Sequence, residues 1–132
     1  MKSLIVEDDT TTRFLMQKFL EPYGESHAAG NGMEALLAVS NSLISGEPYQ
    51  LICLDIMMPD MDGLTALKKI RALEATQGIM VGDGVKIIMT TALSDMEHKM
   101  TAAHEFCDAY LVKPIDRSKL IDLIHSFKLA ET

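Results

Sequence analysis

The sequence predicts an α/β protein built on a doubly wound parallel sheet, and two features of its apolar pattern indicate this. Short runs that are apolar throughout alternate with longer stretches in which apolar residues recur every three or four positions. Runs of about four to eight apolar residues are typical of strands buried on both faces, whereas the wider spacing is typical of helices that bury one face. A strand and a helix repeated five times predict a (βα)5 fold with helices on both faces of the sheet.

The predicted strands are short and mostly apolar. They cover residues 4–6, 26–29, 51–54, 85–89 and 109–112. The second is the most polar, so we place it at an edge of the sheet, where burial is less complete. The strand order 2-1-3-4-5, which is the flavodoxin-like order, puts it there.

The predicted helices have both an apolar stripe and start signals. Stripes at helical spacing cover residues 15–20, 36–43, 64–70 and 120–127. Asn31 with Glu34, and Ser94 with Glu97, have the spacing of a capping box at a helix start. Asp116 is the expected N-cap of the last helix.

Length and composition suit one globular domain over residues 1–132. The net charge of −7 argues against direct nucleic-acid binding and fits a partner that is a cation or a basic protein surface. Cys53 and Cys107 lie far apart and have no metal-type spacing, so we expect free thiols and a cytoplasmic location. No apolar run is long enough to predict a membrane span.

Charged and hydroxyl side chains follow the predicted strands at the same end of the sheet. They are Glu7, Asp8 and Asp9 after the first strand, Asp55 after the third, Thr90 and Thr91 after the fourth, and Lys113 after the fifth. In open α/β sheets, the carboxyl ends of the strands form a crevice where the strand order reverses. We therefore expect the acidic cluster and Asp55 to face each other across that crevice.

The residue types in this crevice suit phosphoryl transfer. Several acids close together must take up protons or bind a cation. Oxygen ligands without histidine favour Mg²⁺, with Mn²⁺ as the alternative. A carboxylate beside a divalent ion, a lysine and a hydroxyl can act as a nucleophile and form an aspartyl phosphate, which makes Asp55 the candidate acceptor.

The chain resembles the response-regulator receiver family of two-component signalling over nearly its whole length. The matching segments are residues 5–9, 54–63, 91–92 and 113–114, in family order and at family spacing. The resemblance implies that Asp55 is the phosphoacceptor. It also implies a Mg²⁺ site formed by Asp8 directly, Glu7 through water, Asp55, and the backbone carbonyl of Met57. Glu7 and Asp8 are chosen as the acidic pair, rather than Asp8 and Asp9, because Arg13 follows Asp8 by five residues.

The resemblance assigns roles to three further side chains. Thr91, followed by Ala92, matches the switch hydroxyl, although Thr90 competes for that role. Lys113 matches the family lysine, and its bond to Pro114 is expected to be cis. Tyr110 matches the aromatic switch position, with plain packing as the alternative.

The partners implied are those of a phosphorelay. The donor is a sensor histidine kinase or a histidine phosphotransfer protein, and the output surface comprises the helix with the start signal at Ser94, the fifth strand and the last helix. The resemblance implies no enzyme activity on a separate substrate, only the domain's own phosphorylation and dephosphorylation. The net charge and the short apolar runs predict no contact with nucleic acid or membrane. Met57 and Leu93, which cannot hydrogen-bond an attacking water, predict slow dephosphorylation.

Two other classes stay open at this stage. A phosphohydrolase of the haloacid-dehalogenase type would need an acid two residues after Asp55, where Met57 stands. A flavodoxin-like nucleotide binder would need a non-acidic loop after the first strand, where Glu7, Asp8 and Asp9 would repel phosphate. Asp9 and Asp62 are interpreted as helix N-caps.

Overall fold

The structure is a computed structural model that describes residues 1–80, 82–92, 94 and 103–129. Leu93 and Glu97, which the sequence analysis singled out, lie outside the described residues. Most of the helix predicted from the start signal at Ser94 lies outside them as well.

Five parallel strands form one sheet in the order β2-β1-β3-β4-β5. They are β1 (Ser3–Val6), β2 (Ser26–Ala29), β3 (Leu51–Asp55), β4 (Lys86–Thr91) and β5 (Ala109–Val112). The predicted strand order and the edge position of β2 are both confirmed. The order reverses between β1 and β3, so the crevice expected from the sequence lies above these two strands.

Four helices are described beside the sheet. They are α1 (Thr10–Leu20), α2 (Gly32–Ser45), α3 (Gly63–Thr76) and α4 (Arg117–Ser126). A short 3₁₀ turn over Glu21–Tyr23, which the sequence did not predict, extends α1 at Pro22. No helix in the described part of the chain is long and apolar enough to cross a membrane.

Each face of the sheet has its own apolar core, because alternate residues of a strand point to opposite faces. Leu4 and Val6 pack into the core under α2 and α3, whereas Ile5 packs into the core under α1 and α4. All three are at most 1% exposed. Cys53 belongs to the second core, where burial raises the pKa of its thiol to about 12, so it is an unreactive packing residue.

Side-chain caps fix where the described helices begin. The N-cap residues, each of which accepts a hydrogen bond from a backbone N–H in the first turn, are Asp9, Asn31, Asp62 and Asp116. The predictions of these four caps are therefore confirmed, whereas the capping box of Ser94 and Glu97 stays a prediction because Glu97 lies outside the described residues. Glu34 completes the turn before α2 by accepting from the N–H of Gly30 (2.6 Å). Such a cap stabilises a helix by about 1 kcal/mol and places each helix start beside the carboxyl ends of the strands.

Strand β4 is longer than predicted, since Thr90 and Thr91 belong to it and do not follow it. Thr90 is paired with Asp55 and Thr91 with Val112. Threonine is β-branched and suits a strand, and both residues continue the backbone ladder. The extension brings both hydroxyl-bearing residues to the level of Asp55.

A charged cluster, of which Glu74 is buried, lies at the other end of the sheet. The Arg71 guanidinium contacts Glu74 (2.7 Å) and Asp108 (3.0 Å) and donates to the carbonyl of Val85 (2.8 Å). Asp108 also accepts from the N–H of Ile87 (2.8 Å). These contacts connect α3 to β4 and to the start of β5. They hold these elements together at the end of the sheet opposite the crevice.

Candidate functional site

The structure brings the three predicted acidic ligands together at the strand ends. One carboxylate oxygen from each of Glu7, Asp8 and Asp55 lies within 4.8 Å of the other two. Glu7 and Asp55 are buried, at 1% and 2% exposure, and Asp8 is exposed. The cluster therefore has a buried floor and an open side.

Lys113 supplies the positive charge expected at this site. Its Nζ lies 3.1 and 3.0 Å from the two carboxylate oxygens of Glu7 and 3.1 Å from Oδ2 of Asp55. Lys113 directly follows β5 and its bond to Pro114 is cis, as expected. One lysine thus bridges the acids of two different strands.

The electrostatics of the cluster follow from burial and close charges. Burial raises the pKa of Glu7 to about 7, and the hydrogen bond from Lys113 only partly opposes it. Burial alone would lower the pKa of Lys113, but its contacts with Glu7 and Asp55 outweigh burial and raise it. The lysine is therefore charged near neutral pH, while Glu7 is only partly ionised.

The backbone after β3 is arranged around the Asp55 carboxylate. The N–H of Met57 donates to Oδ1 of Asp55 (3.2 Å), so the two oxygens of that carboxylate have different partners. The Met57 side chain is 48% exposed and stands at the rim of the crevice. The carbonyl of Met57 as a metal ligand stays a prediction.

The two predicted switch residues occupy different environments. Thr91 is fully buried, and its hydroxyl donates to the carbonyl of Ala92 (3.1 Å). Tyr110 lies on the edge strand β5 and is 48% exposed. The structure thus places Thr91 inside, near the site, and Tyr110 at the surface.

Sequence reasoning gave no positioning role to Gly63, which has one in the structure. A Cβ atom at Gly63 would lie 2.2 Å from the carbonyl oxygen of Asp55, and the Gly63 N–H donates to the carbonyl of Ile56 (2.8 Å). Only glycine lets α3 begin this close to the acceptor strand. The signal in the sequence was a glycine directly after the N-cap Asp62.

Arg13 also contacts the site. Its guanidinium donates to the backbone carbonyl of Glu7 (3.2 Å), while Asp9 is occupied as the N-cap of α1. The use of Asp9 as a cap agrees with the choice of Glu7 and Asp8 as the acidic pair.

Comparison with known proteins identifies the family. The family model described as "Response regulator receiver domain" matches residues 3–125. The chain belongs to this family, whose members act in two-component signalling, so the receiver class is the one confirmed among the three left open by the sequence.

Curated relatives of the chain include parts of longer proteins. The chain is 33% identical over 127 residues to the hybrid signal transduction histidine kinase L of Dictyostelium discoideum, covering 96% of this chain and 7% of the kinase. It is 34% identical over 131 residues to an uncharacterized 14.6 kDa protein of Leptolyngbya boryana, covering 98% of this chain and 92% of that protein. It spans about half the length of the probable transcriptional regulatory protein SilR of Salmonella typhimurium and of the transcriptional regulatory protein SrrA of Staphylococcus aureus, which it also matches.

Solved receiver structures share the fold. The receiver domain of Ssk1 from Saccharomyces cerevisiae, in complex with the histidine phosphotransfer protein Ypd1, superposes with a TM-score of 0.79 at 28% identity, covering 96% of this chain and 88% of that one. The receiver domain of the histidine kinase CKI1 from Arabidopsis thaliana, complexed with Mg²⁺ and BeF₃⁻, gives 0.79 at 25% identity, covering 98% and 90%.

Proposed function

We propose that this receiver accepts a phosphoryl group on Asp55 in a Mg²⁺-dependent reaction. One observation carries the proposal: a buried carboxylate at the end of β3 has two further acids within 4.8 Å and a lysine nitrogen at 3.1 Å. Nucleophile, metal ligands and a charge for the transferred group thus meet at one point.

The acids fit Mg²⁺ in chemistry and in spacing. Two oxygens bound to one Mg²⁺ at about 2.1 Å lie about 3 to 4 Å apart, so the cluster needs only a small contraction. Asp8 and Asp55 would hold the ion directly and Glu7 through water. The ion would neutralise the acids and polarise the phosphoryl oxygens.

The residues of the chain share the chemistry of transfer. A carboxylate oxygen of Asp55 forms the new bond to phosphorus as the bond from phosphorus to the donor histidine nitrogen breaks. Lys113 already contacts that carboxylate, so its ammonium group can also pair with the oxygens of the transferred phosphoryl group. The Thr91 hydroxyl can leave the Ala92 carbonyl and donate to the phosphoryl group.

The partners follow from the same proposal. The donor is a phosphohistidine on a sensor kinase or phosphotransfer protein, which fits the Ypd1 complex of the similar Ssk1 domain. The output face would combine the helix predicted from the start signal at Ser94, β5 with its exposed Tyr110, and α4. The net charge of −7 supports a protein partner and not nucleic acid. The domain acts on no separate substrate, and a cytoplasmic location belongs to the same proposal.

Phosphorylation by a small donor tests the proposal. The purified chain is incubated with acetyl phosphate and Mg²⁺ and followed by intact mass. We expect one phosphoryl group, no modification with EDTA or in Asp55→Asn, and a Mg²⁺ affinity about tenfold or more lower in Asp8→Asn. Equal modification of Asp55→Asn would contradict the proposal.

A further inference from the structure

An apolar groove runs between the outer sides of α2 and α3, on the opposite side of these helices from the sheet. It has a volume of about 640 Å³ and is lined by Leu36, Leu37 and Leu73 among other residues. Leu36 and Leu73 are partly buried and form its floor, whereas Leu37 is 63% exposed. Contiguous apolar surface of this kind marks an interaction site in proteins.

The α2 side of the groove carries a ridge of exposed apolar side chains. Met33, Leu37 and Ile44 are 62%, 63% and 77% exposed. At 100° per residue, these positions fall on one stripe of the helix. The same helix has a single charged residue, Glu34, which stands beside the stripe.

The charges at the groove are balanced, although the chain as a whole is strongly acidic. Glu34 and Lys69 are the charged residues among those that line it. Lys69 is exposed and has no ion pair within the described residues, whereas Lys68 lies over the ring of Phe106 (5.9 Å). Glu34 is also exposed, and one of its carboxylate oxygens accepts from the N–H of Gly30 (2.6 Å).

We propose that a second copy of this chain docks here, with the α2 ridge of each protomer in the α2–α3 groove of the other. The α2 ridge is apolar and has one acid, Glu34, beside it. The groove has apolar walls and one base, Lys69, so ridge and groove are complementary in both polarity and charge. A twofold axis forms each contact twice, so Glu34 of one protomer would pair with Lys69 of the other on both sides. Two chains of net charge −7 repel each other elsewhere, and this neutral face is where they can approach.

The size of the face predicts a weak dimer. Helices α2 and α3 have 14 residues each and are therefore about 21 Å long. Two such helices offer less than the roughly 800 Å² per partner of a standard stable interface. We therefore expect association in the micromolar range.

Sedimentation velocity of the unphosphorylated full chain, from about 5 to 500 μM, tests the dimer. We expect the weight-average mass to rise towards twice that of one chain. Leu37→Ser should weaken association about tenfold or more; Leu37 is exposed, so the fold should survive. As a control, Lys119→Glu reverses a charge on α4, on the opposite face of the sheet from the groove, and should leave association unchanged. A wild-type chain that stays monomeric over the whole range overturns the proposal.

A charge swap tests the pairing. Glu34→Lys and Lys69→Glu should each weaken self-association by about tenfold, because each places like charges together. Mixing the two variants should restore association, since the mixed dimer again has opposite charges at both contacts. Glu34→Gln keeps the hydrogen-bonding group at the start of α2 and controls for a loss of helix structure, followed by circular dichroism. If the mixture associates no better than either variant alone, the groove does not take a second copy.

Discussion

At the scale of single residues, the contact of Lys113 with the two acids Glu7 and Asp55 is central to the electrostatics of the site. The sequence predicted which acids would meet, because each stands at the carboxyl end of a buried strand. It could not predict that Lys113 would contact both oxygens of Glu7 at 3.0 and 3.1 Å. That contact depends on how the loop after β5 folds back, which is a tertiary effect.

The raised pKa of Glu7 predicts a pH-dependent stability for the metal-free protein. The folded state binds a proton at Glu7 up to about pH 7, whereas an unperturbed glutamate loses it near 4.5. Glu7 therefore makes its full contribution to the free energy of unfolding below about pH 4.5, and this contribution is lost as the pH rises to 7. The loss amounts to about 1.4 kcal/mol for each unit by which the folded and unfolded pKa values differ.

Urea unfolding of wild type and Glu7→Gln at several pH values in EDTA measures this contribution. We expect the stability of wild type relative to the variant to fall between pH 5 and 7.5. Mg²⁺ should reduce the fall, because the cation favours ionised Glu7. A constant difference between the two proteins across this interval would contradict the assigned burial effect.

The exposed Met57 predicts a long-lived phosphoryl group. Its side chain cannot orient a water molecule for attack on the phosphorus. We expect Met57→Asn to speed the hydrolysis of phosphorylated Asp55 about threefold or more, measured as loss of phosphoprotein after the donor is removed. Met57→Leu, which also lacks a hydrogen-bonding group, should behave as wild type. An unchanged rate in Met57→Asn would show that the slow-hydrolysis hypothesis is wrong.

At the scale of elements, the helix starts determine how closely the side chains of the crevice assemble. The N-caps were predictable because Asp and Asn at a helix start have a local chemical signature. The length of β4 was not, because Thr90 and Thr91 occur in strands and in loops alike. Their place in the strand depends on pairing with Asp55 and Val112 in the neighbouring strands.

The close approach at Gly63 predicts a large effect from one methyl group. In Gly63→Ala, the Cβ would stand 2.2 Å from the Asp55 carbonyl oxygen, so α3 or the end of β3 must shift. We expect a loss of about 2 kcal/mol or more in the free energy of unfolding, measured in urea, and slower phosphorylation of Asp55. Gly46→Asn, at an open C-cap with φ of 78°, should change both little. Equal effects of the two substitutions would argue against a positioning role for Gly63.

At the scale of the whole molecule, two apolar cores hold a sheet whose carboxyl end carries the acids. The fold was predictable because runs such as residues 51–54 are short and apolar throughout, which is typical of strands buried on both faces. The groove between α2 and α3 was not predicted, since it depends on how the two helices pack together and on the exposed Leu37, which lies outside the predicted stripe of Leu36, Val39 and Leu43. Signalling by this domain would be a population shift, in which contacts to the phosphoryl group favour one arrangement of Thr91 and Tyr110.

The measurement that tests the central claim most directly is the position of the modified residue. The chain is phosphorylated with acetyl phosphate and Mg²⁺, treated with borohydride, which reduces an aspartyl phosphate to homoserine, and sequenced by peptide mass spectrometry. The account predicts homoserine at position 55 and at no other aspartate. Homoserine at Asp8, Asp9 or Asp60, or its absence while the intact mass shows a phosphoryl group, would contradict Asp55 as the acceptor.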